Sequence, residues 1–262
     1  MKTIDWTSVR KVLVVRLRSI GDTVLATPSL IALRRFLPEA QIDILLEDWV
    51  APLLEEFGYV DNVVTVGKGT GSRLSTMWKL RREGYDVAFN LHGGTTSTFF
   101  TRASGARHRV GYAEYQYSFL YNHLYSSSAD FWKKHPTHSA EQQLALLGFT
   151  GVPVEDRPKS RLAVSQAAID SLEAKLRSRK SQISNLKSEI ALLHPAAAFA
   201  TKQWAAENFA RVAEHLHSRG VQTVAVAAKG ECEVLDKLRA VSRVPILAFD
   251  DLTLPEITAL AS

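Results

Sequence analysis

Residues 11–36, KVLVVRLRSIGDTVLATPSLIALRRF, join a buried strand to a helix and decide the fold class of this chain. The segment at residues 11–16 is rich in valine, and its residues 12–15 are continuously apolar rather than alternating, which is typical of a strand buried on both faces. A polar turn at residues 17–22 follows, and residues 23–36 carry apolar side chains at the spacing of a helix that Pro38 ends. The order of strand, turn and helix predicts a βα unit.

The same alternation continues along the first half of the chain. Residues 109–125 interrupt it, because they hold five tyrosines with little clear period. Residues 138–147 then predict a helix, with Thr137 or Ser139 as its N-cap. The pattern predicts further strands at residues 41–46, 62–66 and 86–91, and helices at residues 50–57 and 73–83.

The alternation restarts after a polar helix predicted at residues 166–179. Near the end of the chain, Thr253-Leu254-Pro255-Glu256 matches a capping box with proline in the first turn, and it predicts the start of a final helix. The other predicted elements of this half are strands at residues 190–193, 222–227 and 244–248, and helices at residues 205–219 and 231–241.

Short strands separated by helices of about 10–14 residues predict right-handed βαβ crossovers and parallel sheets, and hence an α/β fold. We expect a first domain at residues 1–155, a linker with the polar helix at residues 156–188, and a second domain at residues 189–262. The second block has only three predicted strands, which would leave an open sheet edge. We therefore expect the second domain to be incomplete.

The composition excludes several classes of protein. Of the 262 residues, 46% are hydrophobic and 23% are charged, which excludes a disordered tail, a collagen-like repeat and a coiled coil. No apolar run approaches the roughly 20 residues of a membrane-spanning helix, and the N-terminus lacks a secretory signal. The single cysteine, Cys232, excludes an internal disulfide framework and a cysteine zinc cluster. These features predict a cytoplasmic protein.

The net charge of +5 is concentrated in two regions. Residues 156–189 hold eight basic against four acidic residues, and residues 102–138 hold five against two. Basic surface favours anionic partners such as phosphates, acidic sugars and anionic lipids, although solvated helix faces account equally well for residues 175–187. No nucleic-acid-binding motif accompanies the charge, so no nucleic-acid partner is expected.

The loop at residues 16–23 follows the first strand, and doubly wound sheets bind ligands beyond the carboxyl ends of their strands. Gly21 permits an unusual backbone conformation or the close approach of a ligand. Asp22 falls near the N-terminus of the next helix, where the helix dipole stabilises a carboxylate. The alternative is that Asp22 is only an N-cap and that the nearby arginines lie on the surface. The residues alone leave both interpretations open.

Two further loops also follow predicted strands. Residues 194–204 place Thr201 and Lys202 after small residues and before a helix, so backbone N–H groups and the lysine could hold a phosphate. The alternative is a loop packed by alanines with an exposed lysine. His92 and the polar residues 93–97 occupy another strand end. A lone histidine is more often structural than catalytic, and its position at the carboxyl end of a strand only raises the odds of a functional role.

Two other patterns favour structural explanations. The glycine-rich residues 67–71 match no phosphate-binding spacing, so they indicate a flexible loop. His135, His138 and Glu141 could be drawn as a metal site, but no third His or Cys is positioned nearby to complete it. Helix capping is the better account, and no metal site is predicted.

Four segments together resemble glycosyltransferase family 9, the ADP-heptose:lipopolysaccharide heptosyltransferases. They occur in the family's order and at similar spacing over nearly the whole chain. The resemblance implies a GT-B-like architecture, in which two Rossmann-like domains face a cleft, with acceptor binding in the first and nucleotide-sugar binding in the second. The segments are residues 14–28 (VVRLRSIGDTVLATP), 90–93 (NLHG), 104–112 (SGARHRVGY) and 194–209 (HPAAAFATKQWAAENF).

The resemblance also implies an inverting transfer of a heptose from ADP-L-glycero-D-manno-heptose to a lipid A–core acceptor in lipopolysaccharide biosynthesis. Asp22 matches the family's proposed general base, which takes the proton of the attacking acceptor hydroxyl. Lys202, helped by Thr201, matches the contact to the donor diphosphate, and Glu231 or Glu233 matches the acid expected on the adenosine ribose. The residues matched to the acceptor are Arg16, Arg18, Ser19, Gly21, His92, Arg107 and Arg109.

The family resemblance implies no required cofactor, with Mg²⁺ left open, and no metal held by the protein. Its lipid acceptor implies peripheral contact with the inner face of the bacterial inner membrane, aided by basic surface.

The chain departs from the family in two respects. Family members are longer, and the Asp-Ser-Gly-Pro-Met-His-like loop that they place at the ADP diphosphate has no counterpart here, so we expect a C-terminally truncated chain. The glycines that usually follow His194-Pro195 are replaced by the alanines at residues 196–198. The alternatives are an inactive fragment or pseudoenzyme that binds a nucleotide or an acidic glycan, and another nucleotide-sugar enzyme on the same fold.

Overall fold

The computed structural model describes residues 3–179, 189–197 and 199–262. The chain divides into two compact units, Met1–Ala163 and Val164–Ser262. Each unit contains a parallel sheet with helices between its strands, which confirms the predicted α/β class. No helix in these ranges is both long enough and apolar enough to cross a lipid bilayer.

The first unit is built on six parallel strands, β1 (Lys11–Val15), β2 (Gln41–Glu47), β3 (Asn62–Val66), β4 (Val87–Asn90), β5 (His108–Tyr112) and β6 (His123–Tyr125). Their order across the sheet is β3-β2-β1-β4-β5-β6, so the chain changes direction across the sheet between β1 and β4. Ligands of doubly wound sheets bind at such a switch point. The helices are α1 (Ile20–Val24), α2 (Thr27–Phe36), α3 (Thr70–Glu83), α4 (Thr95–Ala103), α5 (Ser128–Trp132) and α6 (Ser139–Gly148).

Strand β1 is buried on both faces, as its apolar run predicts. Val12 and Val14 belong to one hydrophobic cluster, and Leu13 and Val15 belong to a second. All four side chains are 0% exposed. Because successive residues of a strand point to opposite faces, the two clusters cover the two faces of the sheet.

The helix predicted at residues 23–36 is divided into α1 and α2. Pro28 has no backbone N–H to donate to the carbonyl oxygen of Val24. The hydroxyl of Thr27 donates to that oxygen instead, at 2.7 Å. Pro28 lies in the first turn of α2, where the missing N–H leaves no helical hydrogen bond unmade.

Several elements differ from the sequence prediction. The prediction of a helix at residues 50–57 is wrong, because this segment forms only a short 3-10 helix, Ala51–Leu54. Strands β5 and β6 occupy the stretch without clear period, since strands of five and three residues are too short to show alternation. Helix α4 was missed because part of its buried face is polar, with Ser97 and Thr98 both 0% exposed.

The second unit contains three parallel strands, β7 (Ile190–Leu193), β8 (Gln222–Val226) and β9 (Leu247–Phe249), in the order β7-β8-β9. The three-stranded sheet agrees with the number of strands predicted. The capping box at Thr253 is confirmed, because the backbone N–H of Thr253 donates to Glu256 Oε2 at 2.6 Å. The helices are α7 (Gln166–Ser178), α8 (Ala206–Ser218), α9 (Cys232–Val241) and α10 (Leu254–Leu260).

Helix α7 belongs to the second unit and not to a linker, which corrects the boundary expected at residues 156–188. Leu172 and Leu176 of α7 join the hydrophobic cluster that contains Phe249 of β9. Lys175 Nζ also lies 2.9 Å from Glu256 Oε2 of α10. The polar composition of the helix hid this packing, since one narrow apolar stripe is enough to bury it. Residues 156–163 of the expected linker belong to the first unit, and residues 180–188 lie outside the described residues.

Candidate active site

The loops that follow β1 and β4 meet at the carboxyl edge of the first sheet. Val15 pairs with Asn90 in parallel register, so the next residues leave the sheet at the same level. Arg16 Nη1 donates to the backbone oxygen of Leu91 at 2.9 Å. This contact lies at the switch point of the sheet, where a ligand is expected.

Arg16 and Asp22 form an ion pair within the first of these loops. Arg16 Nη2 lies 2.8 Å from Asp22 Oδ1, and the hydroxyl of Ser19 donates to Asp22 Oδ2 at 3.2 Å. The side chain of Arg16 is 7% exposed, whereas that of Asp22 is 41% exposed. A buried cation therefore orients a carboxylate that a ligand can reach.

Asp22 compensates the charge of buried Arg16. Burial lowers the pKa of Arg16, and the nearby charge and hydrogen bond of Asp22 act in the opposite direction. Arginine nevertheless stays protonated in proteins. A buried cation without its partner is strongly unfavourable, so Asp22 also stabilises the loop.

His92 contacts the same guanidinium. Arg16 Nη1 lies 3.2 Å from His92 Nδ1, and since an arginine only donates, Nδ1 accepts and the neutral ring carries its proton on Nε2. Burial lowers the pKa of His92, and the positive charges of Arg16 and Arg18 lower it further. The structure therefore holds His92 as a neutral hydrogen-bonding partner that positions Arg16.

Asn90 shapes the loop after β4, a role that the sequence reasoning did not assign. Its Oδ1 accepts hydrogen bonds from the backbone N–H groups of His92 at 2.9 Å and Gly93 at 3.0 Å. Its Nδ2 donates to the hydroxyl of Tyr121 at 2.6 Å. Asn90 is fully buried, and an amide that ends an apolar strand is the sequence signal that could have identified it.

The structure answers two questions about the first loop. Asp22 lies inside α1, whose N-cap is Ser19, so the interpretation of Asp22 as an N-cap is wrong. Gly21 lies in the same helix without a positive φ, so no unusual backbone requires glycine there. A Cβ on Gly21 would have no atom within 4 Å, which leaves open space for a ligand. Arg18, in the same loop, is exposed.

Arg107 and Arg109 do not join this cluster, and their assignment to the acceptor stays a prediction. They flank the first residue of β5, whereas Arg16 and His92 follow the last residues of β1 and β4. Since β5 is parallel to β4, its first residues lie toward the opposite edge of the sheet. Arg109 is also engaged, because its Nε donates to the backbone oxygen of Leu120 at 2.8 Å.

A cavity of about 340 Å³ opens beside Arg16 and His92 in the first unit. The shape of the cavity requires glycine at position 93. Gly93 has a φ of 78°, and a Cβ there would lie 2.5 Å from the ring of Tyr115. Of the residues that line this cavity, the sequence analysis assigned a role in the site only to Arg16 and His92. The other lining residues are Leu91, Tyr112, Glu114, Tyr115, Ser127, Ser128, Ala129, His135, Thr137, Ser139, Gln142, Gln143 and Leu146.

The candidate donor residues lie in the second unit, at the carboxyl edge of its sheet. Thr201 and Lys202 follow β7 in a short 3-10 helix, Ala200–Lys202, and both are exposed. Lys202 Nζ lies 5.5 Å from the ring centroid of Phe199. The ammonium group is therefore available to an anion from solvent.

Glu231 and Glu233 follow β8 at the same edge of the sheet. Glu231 Oε2 accepts a hydrogen bond from the backbone N–H of Ala228 at 3.1 Å, so this carboxylate caps its own turn. Glu233 is exposed in the first turn of α9. The structure thus brings all four candidate donor residues to one edge of the second sheet, with Glu233 less engaged than Glu231.

His138 confirms the helix capping predicted for this segment. It is the N-cap of α6, a position that the sequence assigned to Thr137 or Ser139. Its ring Nδ1 accepts a hydrogen bond from the backbone N–H of Ala140 at 3.3 Å. The backbone N–H of His138 donates to Glu141 Oε2 at 2.9 Å. The described ranges contain no group of three or more His, Cys, Asp or Glu side chains arranged to hold a metal ion.

Comparison with known sequences gives a family and a curated relative. The model of Glycosyltransferase family 9 (heptosyltransferase) matches residues 73–262. Lipopolysaccharide heptosyltransferase 3 of Escherichia coli (strain K12) is 26% identical over 223 residues, which cover 79% of this chain and 60% of that protein. The chain therefore spans less than two thirds of this relative.

Solved structures share the fold. The glycosyl transferase family 9 protein from Veillonella parvula DSM 2008 gives a TM-score of 0.83 at 18% identity, covering 96% of this chain and 72% of that one. E. coli heptosyltransferase WaaC with ADP gives a TM-score of 0.69 at 17% identity, covering 96% of this chain and 78% of that one. These similarities confirm the GT-B-like fold, with the second domain partly covered. Since the family model matches well over half of the residues, the chain belongs to glycosyltransferase family 9.

Proposed function

We propose that this chain is a heptosyltransferase of lipopolysaccharide core biosynthesis, which moves a heptose from ADP-heptose to a lipid A–core acceptor with inversion. Family membership and the curated relative's name support the reaction, and a structural neighbour that contains ADP supports the donor. The observation that carries the proposal is the carboxylate of Asp22, oriented by buried Arg16 at the switch point of the sheet. Because the chain spans 60% of that relative, donor binding and transfer are tested separately.

Asp22 is the general base in this proposal. The acceptor hydroxyl donates a hydrogen bond to the exposed carboxylate, which takes the proton as the hydroxyl oxygen attacks the anomeric carbon. The bond to ADP breaks on the opposite face, and the diphosphate leaves with the electron pair. A carboxylate is a weak base, so most of the rate enhancement comes from positioning and from stabilising the leaving group. Arg16 is a positioning residue, held in turn by Leu91 and His92.

We assign the acceptor to the first unit and the donor to the second. The ammonium group of Lys202 and the hydroxyl of Thr201 suit a diphosphate, and Glu233 or Glu231 suits the hydroxyls of a ribose. The proposal includes no cofactor and no metal, and assays in EDTA and in MgCl₂ test that choice. Peripheral contact of a cytoplasmic protein with the inner membrane is part of the proposal, because basic surfaces attract anionic lipids.

The Asp22→Asn variant tests the role of the base. We expect transfer from ADP-heptose to a lipid A–core acceptor to fall by about 10²–10⁴-fold, because the amide cannot take the proton. The affinity for ADP, measured by isothermal titration calorimetry, stays unchanged. Asp170→Asn, at an exposed aspartate of α7, is the control and keeps both properties. The Asp22 variant removes the ionic partner of buried Arg16, so circular dichroism is used to check that this variant is folded.

Two outcomes contradict the proposal. If Asp22→Asn transfers heptose as fast as the unsubstituted chain does, Asp22 is not the general base, although the chain is still a transferase. Binding of ADP by the unsubstituted chain without any transfer supports instead the alternative of a nucleotide-binding module without turnover.

A further inference from the structure

The outer face of α3 exposes large apolar side chains. Leu74 and Trp78 are one turn apart and are 61% and 63% exposed. The opposite face of the same helix is already buried, because Leu80 is 0% exposed and Met77 packs against the same cluster on the first sheet. The outward face of a surface helix normally carries polar side chains. A leucine and a tryptophan together on that face therefore indicate a contact surface.

Exposed aromatic side chains continue this face onto α4. Helix α4 lies beside α3, and its Phe100 joins the same cluster as Leu80. The next side chain toward solvent, Phe99, is 43% exposed, and its ring centroid lies 5.4 Å from that of Tyr117. The ring of Tyr117 lies in turn 6.2 Å from that of Phe119, which is 78% exposed. We call the five exposed apolar side chains the outer surface, namely Leu74, Trp78, Phe99, Tyr117 and Phe119.

The segment that carries most of the outer surface is strongly basic. Residues 68–109 contain eight basic residues and two acidic ones. Both acids are engaged with β1, since Glu83 Oε2 lies 3.2 Å from Lys11 Nζ and Asp86 Oδ2 accepts from the backbone N–H of Lys11 at 2.9 Å. Within the described ranges, no ion pair reaches any of the five exposed cations of α3 and α4. These cations are Arg73, Lys79, Arg81, Arg82 and Arg102.

These cations lie among the apolar side chains and not in a separate region. Arg82 is one turn after Trp78, and its guanidinium carbon lies 4.4 Å from the centroid of that ring. Arg81 reaches across to the end of α4, because its guanidinium fills the space that a Cβ on Gly105 would take. The outer surface thus combines aromatic and aliphatic contact area with uncompensated positive charge.

We propose that the outer surface docks on an anionic lipid bilayer. The aromatic rings and Leu74 enter the headgroup region, and the five cations lie against lipid phosphates. Tryptophan and tyrosine favour the interface between membrane and water, and each basic side chain near an anionic bilayer is attracted to it. A soluble polyanion would use the cations and leave the apolar side chains in water, so a bilayer fits the whole surface better.

The position of the outer surface suits a lipid acceptor. Arg73, near the start of α3, lines one small cavity together with Leu17, which follows β1 in the loop that carries Asp22. Docking on this face therefore holds the candidate site of the first unit close to the lipid surface. The choice of a bilayer over another anionic surface rests on the proposed function, whose acceptor is a lipid.

Cosedimentation of the full chain with vesicles tests the charge. We expect vesicles of equal parts phosphatidylglycerol and phosphatidylcholine to bind the chain at least about tenfold more tightly than vesicles of phosphatidylcholine alone. The double variant Lys79→Glu/Arg82→Glu weakens binding to the anionic vesicles at least about tenfold. Arg211→Glu/Lys237→Glu, at exposed residues of α8 and α9, changes the net charge equally and is the control that keeps binding.

Tryptophan fluorescence tests whether the apolar side chains enter the lipid. Anionic vesicles that contain brominated phosphatidylcholine should quench the fluorescence of the chain. Trp78→Phe keeps binding, because phenylalanine also enters the interface, but loses most of this quenching. Trp49→Phe, at an exposed tryptophan whose Nε1 donates to Glu47 at 2.8 Å, is the control and keeps both. Leu74→Ser/Trp78→Ser binds at least about tenfold more weakly, because apolar surface is no longer removed from water.

Four outcomes overturn the inference. They are equal binding to the neutral vesicles, unchanged binding by either double variant of α3, and quenching that persists in Trp78→Phe. The fourth is a dimer of the unsubstituted chain in analytical ultracentrifugation that Leu74→Ser/Trp78→Ser converts to a monomer, because a second copy then covers the outer surface. Vesicle binding needs neither donor nor turnover, and Asp22→Asn should retain it. Failure of transfer in the Asp22 experiment therefore leaves these results readable, so the two proposals fail separately.

Discussion

Arg16 and Arg18 are two residues apart in the same loop, yet they differ in their surroundings. The first is buried and bonded to Asp22, Leu91 and His92, whereas the second is exposed. A buried guanidinium needs partners for its charge and its N–H groups, and these come from two different strand ends. Arg16 therefore links the loop that carries the proposed base to the loop after β4.

His92 gives the first unit a dependence on pH. Burial, with Arg16 and Arg18, lowers the pKa of His92 in the folded protein, so the unfolded chain binds more protons once the pH falls below about 6.5. Stability contributed by neutral His92 is complete above that pH and is lost below it. We expect His92→Asn to reduce the fall in unfolding free energy between about pH 6.5 and pH 5. The unfolding free energy is measured at each pH by urea denaturation followed by tryptophan fluorescence, since four of the five tryptophans lie in the first unit.

Part of the pH dependence persists in His92→Asn, because burial also lowers the pKa of His123 in the same unit. His217→Asn, at an exposed histidine of α8, is the control and keeps the full slope. An identical slope in His92→Asn and in the unsubstituted chain contradicts the prediction.

Helices α7 and α10 are joined by one carboxylate. Glu256 lies in the first turn of α10 with a side chain only 3% exposed. Burial acts to raise the pKa of this carboxyl, but hydrogen bonds outweigh it. The hydrogen bonds come from Lys175, the backbone N–H of Thr253 and the hydroxyl of Ser171, and they lower the pKa of Glu256 to about 2. The capping residue thus also holds a neighbouring helix.

We expect Glu256→Gln to lower the free energy of opening of α7 and α10 by about 2–3 kcal/mol, because a charged hydrogen-bond acceptor is lost. The folded pKa lies below the ordinary value of about 4.5, so this stabilisation is present above pH 4.5 and disappears toward pH 2. Hydrogen exchange of peptides from both helices measures it across that range. Glu173→Gln, at an exposed glutamate of α7, is the control, and equal exchange in the two variants contradicts the prediction.

At the scale of the whole molecule, each unit has its own hydrophobic core. The two clusters on the faces of the first sheet contain only residues of Met1–Ala163. The two clusters of the second sheet contain only residues of Val164–Ser262. A segment with its own core and sheet meets the requirements of an independent domain.

We therefore expect residues 1–163 to fold when expressed alone. Urea denaturation should give one cooperative transition, because six paired strands and both of their core clusters are retained. Phe89→Ala, at a fully buried side chain, should lower the unfolding free energy by about 3–5 kcal/mol. A fragment without a cooperative transition shows that the first unit depends on the second.

The fold class was predictable because its signals are local. The apolar run of β1 and the capping box at Thr253 each act within a few residues, and both are confirmed. Burial by polar contacts gives no such signal, which is why α4 was missed. The packing of α7 was missed because its apolar stripe is narrow and the rest of the helix is polar. Among candidate site residues, the position of Asp22 at a strand end was predictable, whereas the partners that orient it were not.

The sequence by itself determined two parallel βα blocks and placed Asp22 and Lys202 after strands, because hydrophobic periodicity reports what each segment buries. Only the tertiary structure decided which distant side chains meet. It joined Arg16 to His92, separated Arg107 and Arg109 from them, and placed Gln143 at the cavity beside Arg16. The physical reason is that strand order and direction set these contacts, and both arise from closure of the sheet and not from any one segment.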